Sequence, residues 1–108
     1  MLQTLTTPRG ETLSGTPWQV YPRPQMRRDS YINLNGEWDF AVSREEPATF
    51  DMRITVPFCP ESRLSGIGRH FEEGAPLWYR RRFLLPEGFR RERVLLHIGA
   101  ADQIAEVF

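Results

Sequence analysis

Residues 77–86 have the sequence LWYRRRFLLP, and residues 93–99 have the sequence RVLLHIG. In both runs the apolar side chains of one face recur at every second position: Tyr79, Phe83 and Leu85 in the first run, and Val94, Leu96 and Ile98 in the second. Alternation of this period, bounded by proline and glycine, predicts two antiparallel strands with one buried face. The short polar stretch 87–92 between them is typical of a turn. The same alternation places Arg81 on the apolar face, where it would need an acidic partner, and Asp39 or Asp102 could supply one.

Further strands are predicted on both sides of this ribbon. Asn35-Gly36 predicts a hairpin turn, because both residues tolerate positive φ. The alternating residues 38–42 after it predict a half-buried strand, residues 52–56 predict a short strand that ends at Pro57, and residues 104–108 predict a last strand. Residues 58–76 show no periodicity, and an irregular loop of that length is more often functional than filler.

These elements predict an all-β protein with a jelly-roll-like antiparallel β-sandwich, of the kind found in galactose-binding domains. We expect an extended N-terminal arm over residues 1–20 and a partial sandwich domain over residues 21–108. The final strand reaches the last residue without a turn, so we expect the sandwich to be incomplete at its C-terminus.

Composition limits the function classes. The chain has 108 residues, and its 14 basic and 14 acidic residues cancel to a formal net charge of +0. A neutral chain has no long-range attraction for nucleic acid or anionic lipid. Cys59 is the single cysteine, so neither an intrachain disulfide nor a thiolate metal cluster is expected. Residues 1–9 lack the features of a signal peptide, and no stretch approaches the ~20 apolar residues of a membrane span, so we expect a cytoplasmic protein without membrane contact.

Few residues suggest chemistry. The adjacent pairs Glu45-Glu46 and Glu72-Glu73 are more typical of solvated loops than of catalytic carboxylates, which stand roughly 5–10 Å apart on different elements in glycosidases. His97 is best interpreted as a structural or surface histidine. His70 lies in the irregular loop beside Arg69, and this neighbourhood could serve a polyol ligand, although a solvated loop is the better interpretation. Arg69 and His70 are kept as candidates for the rim of a substrate site. We expect no catalytic residue, no metal site and no cofactor.

Two surface features carry alternative interpretations. The arginines of residues 80–82 and 90–93 lie near aromatic side chains, as on proteins that hold single-stranded nucleic acid. The neutral charge and the alternation, which divides the arginines of residues 80–82 between two faces, argue against that interpretation. The tryptophans could stack on sugar rings: Trp38 is better explained as a core residue, whereas Trp18 and Trp78 are open to either role.

Five short motifs occur in one order: RDSY at 28–31, LNGEWDF at 34–40, ITVP at 54–57, WYRRRF at 78–83 and LHIGAADQIAEV at 96–107. Together they resemble the N-terminal sugar-binding domain of family 2 glycoside hydrolases, the family of β-galactosidases, β-glucuronidases and β-mannosidases. The resemblance covers roughly residues 17–108. In that family a jelly-roll domain precedes an immunoglobulin-like domain and a catalytic (β/α)8 barrel.

The resemblance implies a non-catalytic domain of a retaining β-glycosidase that hydrolyses O-glycosyl bonds in carbohydrate metabolism. Both catalytic glutamates of the family lie on the barrel, so none of these 108 residues inherits a catalytic role. The resemblance implies that carbohydrate is bound through the barrel, and that the loop at 58–76 can approach its mouth. The chain has no close match to the substrate-contacting asparagine segment of some β-galactosidases.

The alternative is a free-standing carbohydrate-binding or adaptor module, which would need a complete sandwich with covered edges. An unfinished sandwich leaves strand edges and apolar surface bare. We therefore also expect self-association, through residues 103–108 or through exchange of the N-terminal arm.

Overall fold

The computed structural model describes residues 7–17, 19–20, 23, 25 and 28–108. Its elements in chain order are a short helix α1 (Pro8–Thr12), strands β1 (Gly36–Val42) and β2 (Met52–Val56), a 3-10 turn (Arg63–Ser65) and strand β3 (Leu77–Arg80). The prediction for Trp18 falls outside the described residues. Within the described part of the chain, no helix is long and apolar enough to cross a membrane.

The three strands form one antiparallel sheet in the order β2-β1-β3. Strand β1 is central because its two edges are both used: Phe40 stands opposite Met52 on β2 and opposite Tyr79 on β3. The fold is therefore β-rich and antiparallel, as the alternation predicts. The second layer that a sandwich requires has no counterpart among the strands of the described residues.

Burial is concentrated on β1 and β2. Phe40 and Ile54 are fully buried and Ala41 is nearly so. The Phe40 ring packs edge-on against Tyr79, with centroids 5.1 Å apart, and lies 5.7 Å from the ring of Phe71. The loop between β2 and β3 thus covers the apolar face of the sheet, because Phe71 belongs to that loop.

The opposite face of the sheet is polar. Arg80 donates from Nε and Nη2 to one carboxylate oxygen of Asp39, its cross-strand partner, at 3.1 and 3.0 Å. Arg53 of β2 stands opposite Asp39 and pairs diagonally with Glu37 of β1. Cross-strand pairs of opposite charge at such positions support the strand register.

Two indole N–H groups tie the ends of the strands to neighbouring chain. Trp38 Nε1 donates to the carbonyl oxygen of Leu34 at 2.7 Å, and Trp78 Nε1 donates to that of Ser43 at 2.8 Å. Both rings are half-buried. The indole nitrogens of Trp38 and Trp78 are therefore both occupied within the protein.

The N-terminal arm contains one helical turn. Thr7 caps α1 by accepting a hydrogen bond from the Gly10 N–H at 3.1 Å, and Pro8 occupies the first turn, where no N–H is needed. A Cβ atom on Gly10 would lie 3.8 Å from Leu64, so α1 stands beside the 3-10 turn. Pro17 is buried.

The hairpin turn predicted at Asn35-Gly36 is wrong. Residues 31–35 form no strand, so β1 has no partner on that side of the dipeptide. The Asn35 N–H instead donates to Oδ1 of Asn33 at 2.8 Å, a local side-chain bond that replaces strand pairing. Gly36 begins β1 and is buried, with a φ of 135°.

The ribbon predicted for residues 77–86 and 93–99 forms only at its start. Strand β3 ends at Arg80, and no β ladder involves residues 81–108, so the strands predicted at 93–99 and 104–108 are wrong. Alternation marks a segment that is suited to a sheet, but a strand also needs a neighbour with which to exchange backbone hydrogen bonds. We call residues 81–108 the C-terminal segment.

The prediction that Arg81 pairs with an acidic residue is also wrong. Because β3 ends one residue earlier, the alternation does not extend to Arg81. Its Nη1 donates to the carbonyl oxygens of Leu34, Asn35 and Glu37, at 3.1, 3.4 and 3.3 Å. Arg80, not Arg81, takes Asp39 as its partner.

Candidate functional site

The loop between β2 and β3, residues 57–76, is built around a buried serine. Ser65 is 1% exposed, and its hydroxyl lies 2.7 Å from the carbonyl oxygen of Ser62 and 3.2 Å from that of Pro60. The Ser65 hydroxyl oxygen also accepts a hydrogen bond from the Ile67 N–H at 3.1 Å. Gly66 ends the 3-10 turn in the left-handed region, with a φ of 85°. The loop is irregular as predicted, yet its backbone is held by internal bonds.

Ser65 was not anticipated from the sequence. The spacing of Ser62 and Ser65 is the available signal, because a serine side chain commonly caps a turn that begins one residue later. Ser62 does this: its hydroxyl accepts the Ser65 N–H at 3.2 Å. These bonds hold residues 60–67, directly before Arg69 in the loop.

Arg69, a predicted rim residue, lies over an aromatic ring. Its guanidinium carbon is 4.9 Å from the centroid of Phe71, and its Nη2 lies 3.4 Å from the thioether sulfur of Met52. A thioether is a weak acceptor, so this contact leaves donor capacity of the guanidinium for another ligand. The Arg69 N–H donates to the carbonyl of Pro60, which anchors the backbone at this position.

A shallow cleft of about 440 Å³ opens beside Arg69. Its lining combines charged and apolar groups from the start of β2 and from the loop: Asp51, Met52, Arg53, Gly66, Ile67 and Arg69. Asp51 offers acceptors, Arg69 offers donors, and Met52 and Ile67 offer apolar surface. Such a mixture suits a polyol, whose hydroxyl groups donate and accept while its C–H faces are apolar.

The structure does not bring the two predicted rim residues together. His70 does not line the cleft; its Nδ1 lies 3.5 Å from a carboxylate oxygen of Glu61. Both side chains of that pair are well exposed to solvent. His70 is therefore a solvated loop residue, and Arg69 is the predicted rim residue that lines the cleft.

The other lining residues were missed by sequence reasoning. Met52 and Arg53 were assigned to a short strand and Ile67 to an irregular glycine-containing stretch. Their proximity depends on the fold of the loop back along β2, and no spacing along the chain indicates it. A 14-residue separation between Arg53 and Ile67 has no local periodicity to reveal it.

A second cleft, of about 310 Å³, lies on the polar face of the sheet. It is lined only by charged residues: Glu37, Asp39, Arg53, Arg80, Arg81 and Arg82. Four of these six are paired with one another, and Arg80 also stacks 4.1 Å from the centroid of Phe50. The charges of this cleft therefore hold strands together.

Tyr79 carries a phenol whose pKa is perturbed by its surroundings. Burial raises the pKa of its phenol above 10.0, and the nearby Glu61 and Cys59 raise it further. The phenol is consequently neutral at physiological pH and is unsuited to act as a general base there. Its position against Phe40 instead assigns it to packing.

The described residues hold no group of three or more histidine, cysteine, aspartate or glutamate side chains that could bind a metal ion. Glu45, Glu46, Glu72 and Glu73 are all exposed. Neither a protein-family model nor a curated protein sequence matches the chain.

Proposed function

We propose that this chain is the non-catalytic N-terminal sugar-binding domain of a retaining β-glycosidase that acts on O-glycosyl bonds in the cytoplasm. The jelly-roll sandwich is part of the proposal, with the sheet β2-β1-β3 as one portion of it. Catalysis would belong to a barrel outside these residues, as in family 2 glycoside hydrolases.

The observation that carries the proposal is the way in which three of the family-like motifs contact one another. The LNGEWDF motif supplies β1, the ITVP motif supplies most of β2, and the WYRRRF motif supplies most of β3. Arg81 of the third motif donates to three carbonyl oxygens in or beside the first, and Arg80 pairs with Asp39. The polar side chains of these motifs thus form contacts that join β1 and β3.

That engagement favours a structural module over a catalytic one. A retaining glycosidase needs two carboxyl groups on opposite sides of one glycosidic bond, about 5 Å apart. Asp39 and Glu37 are each paired with an arginine on the polar face of the sheet. The chain's own contribution to carbohydrate would be the Arg69 cleft, which presents donors, acceptors and apolar surface together.

The test is recovery of the native protein from its own cells with an antibody raised against the 108-residue chain. We expect a band several times heavier than 12.6 kDa, and hydrolysis of nitrophenyl β-glycosides by the recovered material. The purified 108-residue chain, assayed in parallel, should show no turnover. Turnover by the purified chain would contradict the proposal.

A native product of 12.6 kDa without hydrolase activity would also contradict it, and would favour the free-standing carbohydrate-binding module. Arg69→Ala then provides the discriminating variant. Saturable binding of glycans by the chain, lost in Arg69→Ala and retained in Arg82→Ala, would place a binding site at the cleft, because Arg82 lines only the cleft on the polar face.

A further inference from the structure

The C-terminal segment exposes an unusual amount of apolar side chain. Its large hydrophobic residues are between 37% and 97% exposed: Phe83, Leu84, Leu85, Val94, Leu95, Leu96, Ile98, Ile104, Val107 and Phe108. Scattered exposed apolar residues are normal in proteins, but a run of this kind marks an interaction surface. The apolar side chains that sequence alternation assigned to a buried face are among them.

Two global quantities show that the chain is open. A compact monomer of 12.6 kDa exposes roughly 6,200 Å², whereas this chain exposes 10021 Å². A compact domain of 108 residues has a radius of gyration of about 13 Å, against the observed 15.9 Å. The excess surface, about 3,800 Å², is larger than the ~800 Å² that each partner contributes to an ordinary protein interface.

The segment already contains the turn of the predicted ribbon. The Phe89 N–H donates to the carbonyl of Pro86 at 3.0 Å, and Gly88 has a φ of 75°. Even so, no β ladder joins the two flanks of this turn within the described residues. Formation of the turn is therefore not enough to bring the two flanks of the same chain into register.

We propose that two copies of this chain associate by completing that ladder between them. Residues 83–85 of one copy would pair antiparallel with residues 94–96 of the other, and the reverse pairing would close a two-fold symmetric dimer. A register centred on the polar stretch 87–92 places Phe83 opposite Leu96 and Leu85 opposite Val94.

A second copy is the occupant that the chain itself favours. Each copy carries both strands of the proposed ladder, one on each side of the polar stretch 87–92. Exchange between two copies therefore leaves neither strand unpaired. Any other partner would have to supply a matching strand for both. The formal net charge of +0 imposes no long-range repulsion between copies. The area available exceeds what a stable dimer needs. This inference concerns the 108-residue chain and does not depend on the proposed glycosidase.

The first test measures mass in solution by light scattering across a wide concentration range. We expect a dimer that dissociates on dilution, and an increase of at least tenfold in the dissociation constant for Leu96→Lys. Val20→Lys is the matched control, since Val20 is 77% exposed outside the segment, and should leave the constant within twofold. A monomer at all concentrations, open-ended aggregates, or equal effects of both variants would each overturn the proposal.

The second test fixes the register and does not depend on how well Leu96→Lys folds. Phe83→Cys and Leu96→Cys are combined in a Cys59→Ser background, which removes the single native thiol. Mild oxidation should give a covalent dimer on a non-reducing gel, and each single-cysteine variant should give far less. A disulfide formed within one chain would show that the ribbon closes on itself and would overturn the exchange.

Discussion

Arg81 occupies the space in which a side chain at Gly36 would begin. A Cβ atom built on Gly36 would lie 2.9 Å from Nη1 of Arg81, closer than such atoms approach in proteins. The same nitrogen donates to the carbonyl oxygens of Leu34, Asn35 and Glu37 on either side of that glycine. The start of β1 and the end of β3 are therefore joined through one guanidinium, which fits because position 36 carries no side chain.

Gly36→Ala should be strongly destabilising. The φ of 135° at Gly36 is unfavourable for alanine, and the new methyl group would displace the Arg81 guanidinium. We expect the free energy of unfolding to fall by roughly 2–4 kcal/mol in chemical denaturation. Gly88→Ala and Gly99→Ala are the controls. Gly88 has a positive φ but no atom within 4 Å of a Cβ, and Gly99 has neither constraint. Equal effects of all three substitutions would refute the steric role of Arg81.

Arg81→Lys should also destabilise the protein although it keeps the positive charge. All three bonds come from Nη1, which lies one bond further along its side chain than a lysine nitrogen does, so a lysine ammonium would fall short of the carbonyl groups of residues 34–37. We expect a loss of about 1–3 kcal/mol in the free energy of unfolding. Arg82→Lys is the matched control at an exposed position, and a comparable loss there would argue against this explanation.

Phe40 should be far more important for stability than Phe108. Phe40 is fully buried between Tyr79 and Phe71, whereas Phe108 is 97% exposed, with its ring stacked 6.2 Å from that of Trp78. Phe40→Ala should lower the free energy of unfolding by about 3–5 kcal/mol, and Phe108→Ala by less than about 0.5 kcal/mol. Thermal denaturation of the two variants gives the comparison, and similar losses would mean that the core is misassigned.

Stability should decline at alkaline pH because of Tyr79. Its pKa is raised in the folded protein, chiefly by burial, so the unfolded chain releases the phenolic proton at lower pH than the folded one. The contribution is complete below pH 10.0 and is lost as pH rises through the folded pKa. Denaturation midpoints followed from neutral to alkaline pH should show this decline.

Two variants separate the causes of this shift. Tyr79→Phe should flatten the alkaline decline because no phenol remains at that position. Glu61→Gln should lower the pKa of Tyr79 toward 10.0, since Glu61 is the larger of the two charge contributions. An ultraviolet titration of the tyrosines in the wild type and both variants measures the shift; an unchanged profile in Tyr79→Phe would assign it to another tyrosine.

The local sequence pattern was enough to predict strands β1 and β2, each of which buries side chains on one face. Alternation and a following proline predicted β2 with its observed bounds, and the alternation of Trp38, Phe40 and Val42 predicted most of β1. These predictions succeed because burial of every second side chain is a local consequence of strand geometry. The irregular loop was predicted from the absence of any such period.

Tertiary structure alone decided what those patterns pair with. Gly36 begins a strand and not a hairpin turn, and the guanidinium of Arg81, just beyond the end of β3, lies where a side chain at position 36 would begin. Arg80 took the acidic partner that was expected for Arg81, because β3 ended one residue before Arg81. The Arg69 cleft formed because the loop folded back along β2. The C-terminal segment kept its alternating sequence without a ladder, because a strand exists only where a neighbouring backbone supplies the hydrogen bonds.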